Sequence, residues 1–240
     1  MVTLRESLKG KLSKDEALKV PSAYDLVGDL AIFSEFPAEL VKKEKLVGET
    51  LLGLHKQIKV VLKKVGKYSG EFRTPKLRII AGERRKKTIL VENGCRFIVN
   101  PEKVYWSSRL ATERKRIYGQ VKSGESVLVM FSGVGAYPIE IAKHGRPAGV
   151  FSVEINPAAC EYQKENLILN KVEDVKLFKG DVEGVVPKLK KKFDRILMPL
   201  PRGAEAYFEL ALSVLKRGGV VNFYTFQNEA KLGEIRKFIL

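Results

Sequence analysis

Apolar and polar positions follow two different rhythms along this chain. From Val27 to about Asn100 the pattern is mixed. Residues 29–33 read as a strand, and residues 37–57 as a helix that opens on Pro37 and keeps Leu40, Val41, Leu46, Leu51 and Leu54 apolar. Residues 58–65, 77–81, 88–91 and 95–99 read as further strands, with turns at Gly82-Glu83 and Asn93-Gly94. After about Val104 the pattern becomes regular. Strands at 127–131, 149–154, 175–178, 195–198 and 220–226 alternate with helices at 135–144, 157–170, 182–190 and 203–216, and a last helix follows. Alternation of this kind predicts an α/β fold, a Rossmann-like parallel sheet covered on both faces, preceded by a small α+β domain. The expected division is a linker-like segment over 1–24, the α+β domain over 25–103 and the parallel-sheet domain over 104–240.

Ligands of open parallel sheets bind at the carboxyl ends of the strands. Ser132-Gly133-Val134-Gly135, Glu154, Asp181 and Pro199-Leu200-Pro201 all fall at such ends, so periodicity alone gathers them on one rim. The glycine turn lets a nucleotide-like ligand approach bare backbone. Glu154 ends the next strand, where a carboxylate can accept both hydroxyls of a ribose; it can also be a solvated strand-end acid. Asp181 can accept from an adenine amino group or cap the following helix. The turn lacks the third glycine of a dinucleotide-binding loop, and no diphosphate-binding helix start is evident. S-adenosylmethionine has no phosphate to cradle and is the favoured ligand.

Charge adds a partner. The chain of 240 residues carries 44 basic and 28 acidic residues, a net charge of +16 spread over both halves. That excess is not a balanced ion-pair surface, and it predicts a polyanion contacting both halves. At 45% hydrophobic the chain can bury a sizeable core, and no apolar run reaches membrane-spanning length. The N-terminal residues have no signal-peptide core, so a cytoplasmic location is expected. Two distant cysteines and two histidines give no metal-ligand spacing, and no metal is expected.

Glu113 lies between Arg109 and Arg114 on the helix that enters the second half. In isolation it reads as a surface residue of a charged helix. Arg73, in a loop between strands of the first half, can meet it where the halves join. A carboxylate beside a guanidinium can take a proton from a nucleobase while the cation stabilises the developing charge.

These residues carry a resemblance. The segments SAYDLVGDLAIF, VGKYSGEFRTPKLRIIAGE, ENGCRFIVNPEKVYWSSRLATERKRI, MFSGVGAYPIEIAK, EINPAACEYQKENLILNKV and DRILMPLP are similar to those of the archaeal–eukaryal tRNA (guanine-37-N1)-methyltransferases, over nearly the whole chain. That family moves the methyl of S-adenosylmethionine to N1 of the guanosine 3′ of the anticodon, on a class I methyltransferase fold. The resemblance makes Glu113 the base and Arg73 its partner at O6. It puts Arg114, Phe131, Ser132, Gly133, Gly135, Glu154, Ile155, Asn156, Asp181, Val182, Leu200 and Pro201 around the cofactor. Tyr105, Arg109 and Pro199 fall at positions that hold tRNA or face the base, and Arg84 and Lys86 belong to a basic run expected on phosphates. It implies the tRNA anticodon loop as partner, no membrane and a monomer.

The chain departs from the family pattern in places. Val129 stands where an acid is usual, and Pro199 replaces the asparagine of N-L-P. Members usually have a further small N-terminal domain and continue past the position of Leu240. Two other readings stay open. One is a wyosine-pathway enzyme on the same nucleotide, by methylation of the tricyclic precursor or by aminocarboxypropyl transfer. The Arg109-Leu110-Ala111-Thr112-Glu113 form favours methyl transfer over the latter. The other is a non-catalytic tRNA-binding remnant.

Overall fold

The computed structural model describes residues 2–66, 72, 74–200 and 202–225. These fall into two compact units. One comprises residues 1–113 together with 161–170, and the other residues 114–160 with 171–240.

In the first unit, two short helices open the chain, α1 (Leu4–Ser7) and α2 (Lys14–Leu18). Each starts on a reciprocal cap. Thr3 and Ser13 accept from the amides of Glu6 and Glu16, whose carboxylates reach back to the cap amides. The stretch expected as a linker is therefore folded here, and Leu8 and Val20 are buried in the unit's core beside Phe33, Leu40 and Leu51. Strands β1 (Asp25–Val27), β2 (Leu30–Phe33), β3 (Val60–Lys64) and β4 (Leu77–Gly82) form a mixed sheet in that order, with only β2 and β3 parallel. Between β2 and β3 the expected single helix is two pieces, a 3-10 stretch over Ala38–Lys43 and then α3 (Glu44–Leu54). Helix α3 buries Val47, Gly48 and Leu51.

Strands β5 (Thr88–Glu92) and β6 (Cys95–Val99) form a separate hairpin, with Asn93 and Gly94 at φ 48° and 75° in its two-residue turn. Asn-Gly favours this left-handed turn, which matches strand twist. The charged connection before it is tied down. Asp29 accepts from Arg85 at 3.0 and 2.5 Å and from the Thr88 hydroxyl at 2.7 Å.

The second unit starts within helix α4 (Ala111–Gln120). Strand β7 (Ser126–Met130) leads to α5 (Ala136–His144), β8 (Gly149–Glu154) to α6 (Pro157–Leu169), and β9 (Val175–Lys179) to α7 (Val182–Val185). Strand β10 (Phe193–Met198), helix α8 (Phe208–Ser213) and strand β11 (Leu215–Phe223) complete the described part. The last expected helix lies outside the described residues.

All five strands are parallel, in the order β11-β10-β7-β8-β9. The order reverses between β7 and β10, the kind of switch point at which open parallel sheets bind their ligands. Strand β7 is buried at every position, Val129 included, as the centre of a doubly covered sheet requires. Arg195, 4% exposed, pins the amino-terminal side of the sheet. It donates to Glu125 at 2.8 Å, to Asn222 at 3.0 Å and to the Gln120 carbonyl at 2.9 Å.

The C-terminal half of α6 groups with the first unit. Asn166 and Asn170 turn their amides onto the edge of β6. Each accepts from and donates to the backbone of one residue, Ile98 at 2.7 and 3.2 Å and Arg96 at 2.8 and 2.6 Å. Two side-chain amides thus stand in for a neighbouring strand and satisfy an exposed edge.

Candidate cofactor and RNA site

The rim of the parallel sheet is built by backbone first. After β7 the chain makes a tight turn with Phe131, Gly133 and Gly135 all at positive φ, 58°, 57° and 89°. Gly135 begins α5 in a left-handed conformation that a side chain resists. A side-chain carbon added at Gly133 would meet no atom within 4 Å, so this turn faces open space rather than packed protein.

Glu154 closes the turn from beside. Its two oxygens accept from the amides of Gly133 and Asn156, each at 2.7 Å. The residue is only 8% exposed. Burial pushes its carboxyl above the usual range, and the amides of Asn156, Gly133 and Ile155 pull it only part of the way back. Among the described residues no cation pairs with it. A carboxylate offers about four acceptor sites, so beyond these amides the group can still accept from a ligand.

Asn156 in turn caps α6, its side chain accepting from Ala158 at 2.9 Å. Gly180 donates to the Glu154 carbonyl at 2.9 Å, which sets the start of α7 beside the turn. There Asp181 acts as a helix cap, accepting from Glu183 at 2.7 Å, with Val182 buried behind it. Phe131 and Leu200 both lie against the apolar core under the rim. Pro199 and Leu200 leave β10 on the far side of the switch in strand order.

Periodicity alone leaves one rim residue unmarked. The ring of Tyr207 meets that of Phe131 edge-on at 5.1 Å. Its hydroxyl is raised by burial and by the nearby carboxylates of Asp181 and Glu183. No signal in the 203–216 helix pattern marks this tyrosine. Arg114, expected near the cofactor, is buried in the second unit. It is 4% exposed, 3.8 Å from the buried Glu140 carboxylate, with its guanidinium over the Tyr137 ring.

The remaining expected residues belong to the first unit. Glu113 is half-buried in the first turn of α4. Tyr105 is 59% exposed, and Arg109 donates to Asp25 at 2.8 Å. Of the basic run, Lys86 is engaged: both Glu102 oxygens accept from it, at 2.7 and 2.8 Å. Lys87 pairs with Glu165 at 2.8 Å. Arg84 is exposed, with no ion pair among the described residues. Arg73 and Pro201 lie outside the described residues. Among those described, no group of three or more metal-binding side chains occurs, and no helix is long and apolar enough to cross a membrane.

Comparison with known proteins places this geometry. A family model described as the TRM5/TYW2 methyltransferase domain matches residues 88–238, and a TYW2 N-terminal domain model matches residues 4–85. The chain is 41% identical over 210 residues to a Pyrococcus abyssi tRNA (guanine(37)-N(1))-methyltransferase, Trm5b; the match covers 88% of this chain and 62% of that protein. It is 34% identical over 214 residues to a tRNA 4-demethylwyosine(37)-methyltransferase, Taw21, of Saccharolobus solfataricus, covering 88% of this chain and 79% of that one. The structure of a complex of aTrm5 and tRNALeu superposes with a TM-score of 0.82 at 32% identity, covering 98% of this chain and 69% of that chain.

Proposed function

The chain belongs to the TRM5/TYW2 methyltransferase family, and from that membership we propose that it moves the methyl of S-adenosylmethionine to N1 of guanosine at tRNA position 37. The observation that carries this reading is the Glu154 carboxylate. It is set by two backbone amides at the edge of an open glycine turn, with no cation among the described residues to consume its charge. That donor and acceptor set fits a ribose diol and not a diphosphate.

In this reading Glu154 accepts the ribose hydroxyls, and Asp181 accepts from the adenine amino group. Phe131, Ser132, Val182 and Leu200 line the nucleoside. S-adenosylmethionine supplies an electrophilic methyl on a sulfonium. The chain's own residues prepare the nucleophile. Glu113 takes the N1 proton of guanine, and Arg73 offsets the charge that moves onto O6. Arg109 and Arg84 take phosphates of the anticodon loop, which leaves the target base unstacked. The enzyme acts as a cytoplasmic monomer and needs no metal.

A second substrate is favoured by one residue. Proline at position 199 has no amide to offer a guanine edge, so the site discriminates less against a larger tricyclic base, the substrate class named for the Saccharolobus relative.

The test is a methylation assay on tRNA transcripts with guanosine or adenosine at position 37, followed by nucleoside mass spectrometry. The expected product is 1-methylguanosine, absent from the adenosine transcript. An aminocarboxypropyl adduct, or no product, refutes the reading. Glu113→Gln should lower the single-turnover rate by about 10²–10⁴-fold while leaving cofactor affinity within about twofold. Parallel loss of both would make Glu113 structural.

A further inference from the structure

A net charge of +16 predicts a polyanion, yet the basic run before β5 is largely spent inside the fold. Arg85 is paired with Asp29, Lys86 with Glu102 and Lys87 with Glu165. Uncompensated charge lies in the second unit, at the amino-terminal end of the parallel sheet. There Pro187-Lys188-Leu189-Lys190-Lys191-Lys192 leads into β10. Leu189 packs on the core and Phe193 is fully buried, so the chain is anchored while its four lysines stay exposed.

Two cations converge at this end. Lys191, and Lys176 near the start of β9, each set an ammonium over the ring of Phe151, at 5.4 and 5.6 Å from its centroid. That ring is stacked on Phe178, 6.1 Å away and within 7° of parallel. The aromatic pair supports the lysine stems but carries no charge to neutralise them. Among the described residues no acid pairs with Lys176, Lys188, Lys190 or Lys191. Glu173 and Asp174 precede β9 without pairing to any of the four, and Asp194 accepts from Lys216 at 2.8 Å. Like charges gathered in this way repel, and an anion relieves the repulsion. Lysines on an edge strand also keep other strands off. That accounts for Lys176, on the edge strand β9, and not for the lysines of the loop.

We propose that Lys176, Lys188, Lys190 and Lys191 form a surface for the phosphate backbone of RNA, separate from the rim that carries the glycine turn. It rests on the reading of the chain as an enzyme acting on tRNA. From Phe193 to Met198 at the rim, β10 rises about 17 Å. At about 3.4 Å per stacked nucleotide, the phosphates gripped here lie roughly five or more nucleotides from the target base. Lysine ammoniums are point charges that ask no particular geometry of a phosphate. The surface therefore positions the RNA and reads no sequence.

The test is binding of a fluorescein-labelled tRNA transcript, followed by anisotropy over a range of salt concentrations. Lys188→Gln, Lys190→Gln and Lys191→Gln together should weaken binding at least about tenfold near physiological salt. They should also reduce the slope of log affinity against log salt by about 2–3, and adding Lys176→Gln should remove about one more. Affinity for S-adenosylmethionine should stay within about twofold, as proof of folding. Lys42→Gln, Lys43→Gln and Lys56→Gln together take the same charge from exposed positions of the first unit, and should leave the slope within about 0.5.

An unchanged slope in the loop variant would overturn the surface. So would an equal fall in both variants, which would make the effect one of net charge alone. Lost binding to phosphatidylserine vesicles with the RNA slope unmoved would assign the lysines to a lipid surface and overturn it as well. An unchanged slope in a protein that makes 1-methylguanosine would leave the methylation reading standing without the surface. A reduced slope in a protein that methylates nothing would sustain the surface and remove the enzymatic reading.

Discussion

Two carboxylates, one in each unit, are held in opposite ways. Asp29 in the first unit meets a guanidinium and a hydroxyl, and Arg85 and then Thr88 hold its carboxyl below the usual range against the cost of burial. Among the described residues Glu154 in the second unit meets backbone amides alone, and burial holds its carboxyl above that range. The first has its charge spent inside the fold. The second carries a charge the fold does not fully compensate, at an open turn. Perturbation in that direction, at a strand end beside an open turn, supports the proposed role of Glu154 toward a ligand.

The largest effect should separate them by ligand. Glu154→Gln removes one acceptor oxygen and the charge, and should weaken S-adenosylmethionine binding by about a hundredfold or more in calorimetry. Asp29→Asn should leave that affinity within about twofold. Comparable losses in both variants would break the distinction.

Stability should reverse the order. Asp29→Asn leaves Arg85 and Thr88 with a poorer partner, and should cost about 1–2 kcal/mol in chemical denaturation. The Arg85 and Asp29 side chains are 32% and 29% exposed, which keeps the figure below that of a buried pair.

Acid should also divide them. The folded pKa of Asp29 lies below its unfolded value. Its contribution is complete above the unfolded value and is lost as pH falls through the folded one. The folded pKa of Glu154 lies above its unfolded value. Between the two the folded state holds a proton that the unfolded state lacks, so acidification through that window favours the fold. The same protonation removes the acceptor, and cofactor affinity should fall at a pH above that of an ordinary glutamate. Subtracting the pH–stability curve of each variant from that of the parent should give slopes of opposite sign.

The legibility of the two units differs for the same reason as their charges. In the parallel sheet, alternation of buried strands and amphipathic helices is strong. It locates β8 over Gly149–Glu154 and places Glu154 at a strand end. In the first unit, Thr3 with Glu6 and Ser13 with Glu16 are capping spacings present in the sequence. The helices they start are too short to show an apolar period. The partners of Lys86, Arg109 and Asn170 are 16, 84 and 74 residues away, and nothing local signals a pairing at that separation. A basic run consequently reads as a phosphate surface, although Lys86 and Lys87 are held by acids of the same unit.

Asp181 gives the smallest effect and the sharpest version of the comparison, because one carboxylate is offered both roles. As a cap it accepts from Glu183 at 2.7 Å through a single oxygen. A hydroxyl serves there as well, so Asp181→Ser should change stability by no more than about 0.5 kcal/mol. Serine does not reach a ligand as aspartate does. If Asp181 also accepts from adenine, the variant should bind S-adenosylmethionine about three- to tenfold more weakly, a single hydrogen bond's worth, with its unfolding midpoint unmoved. Unchanged affinity in a variant of unchanged stability would leave Asp181 as a cap alone, and Glu154 as the acid of this rim set apart for the ligand.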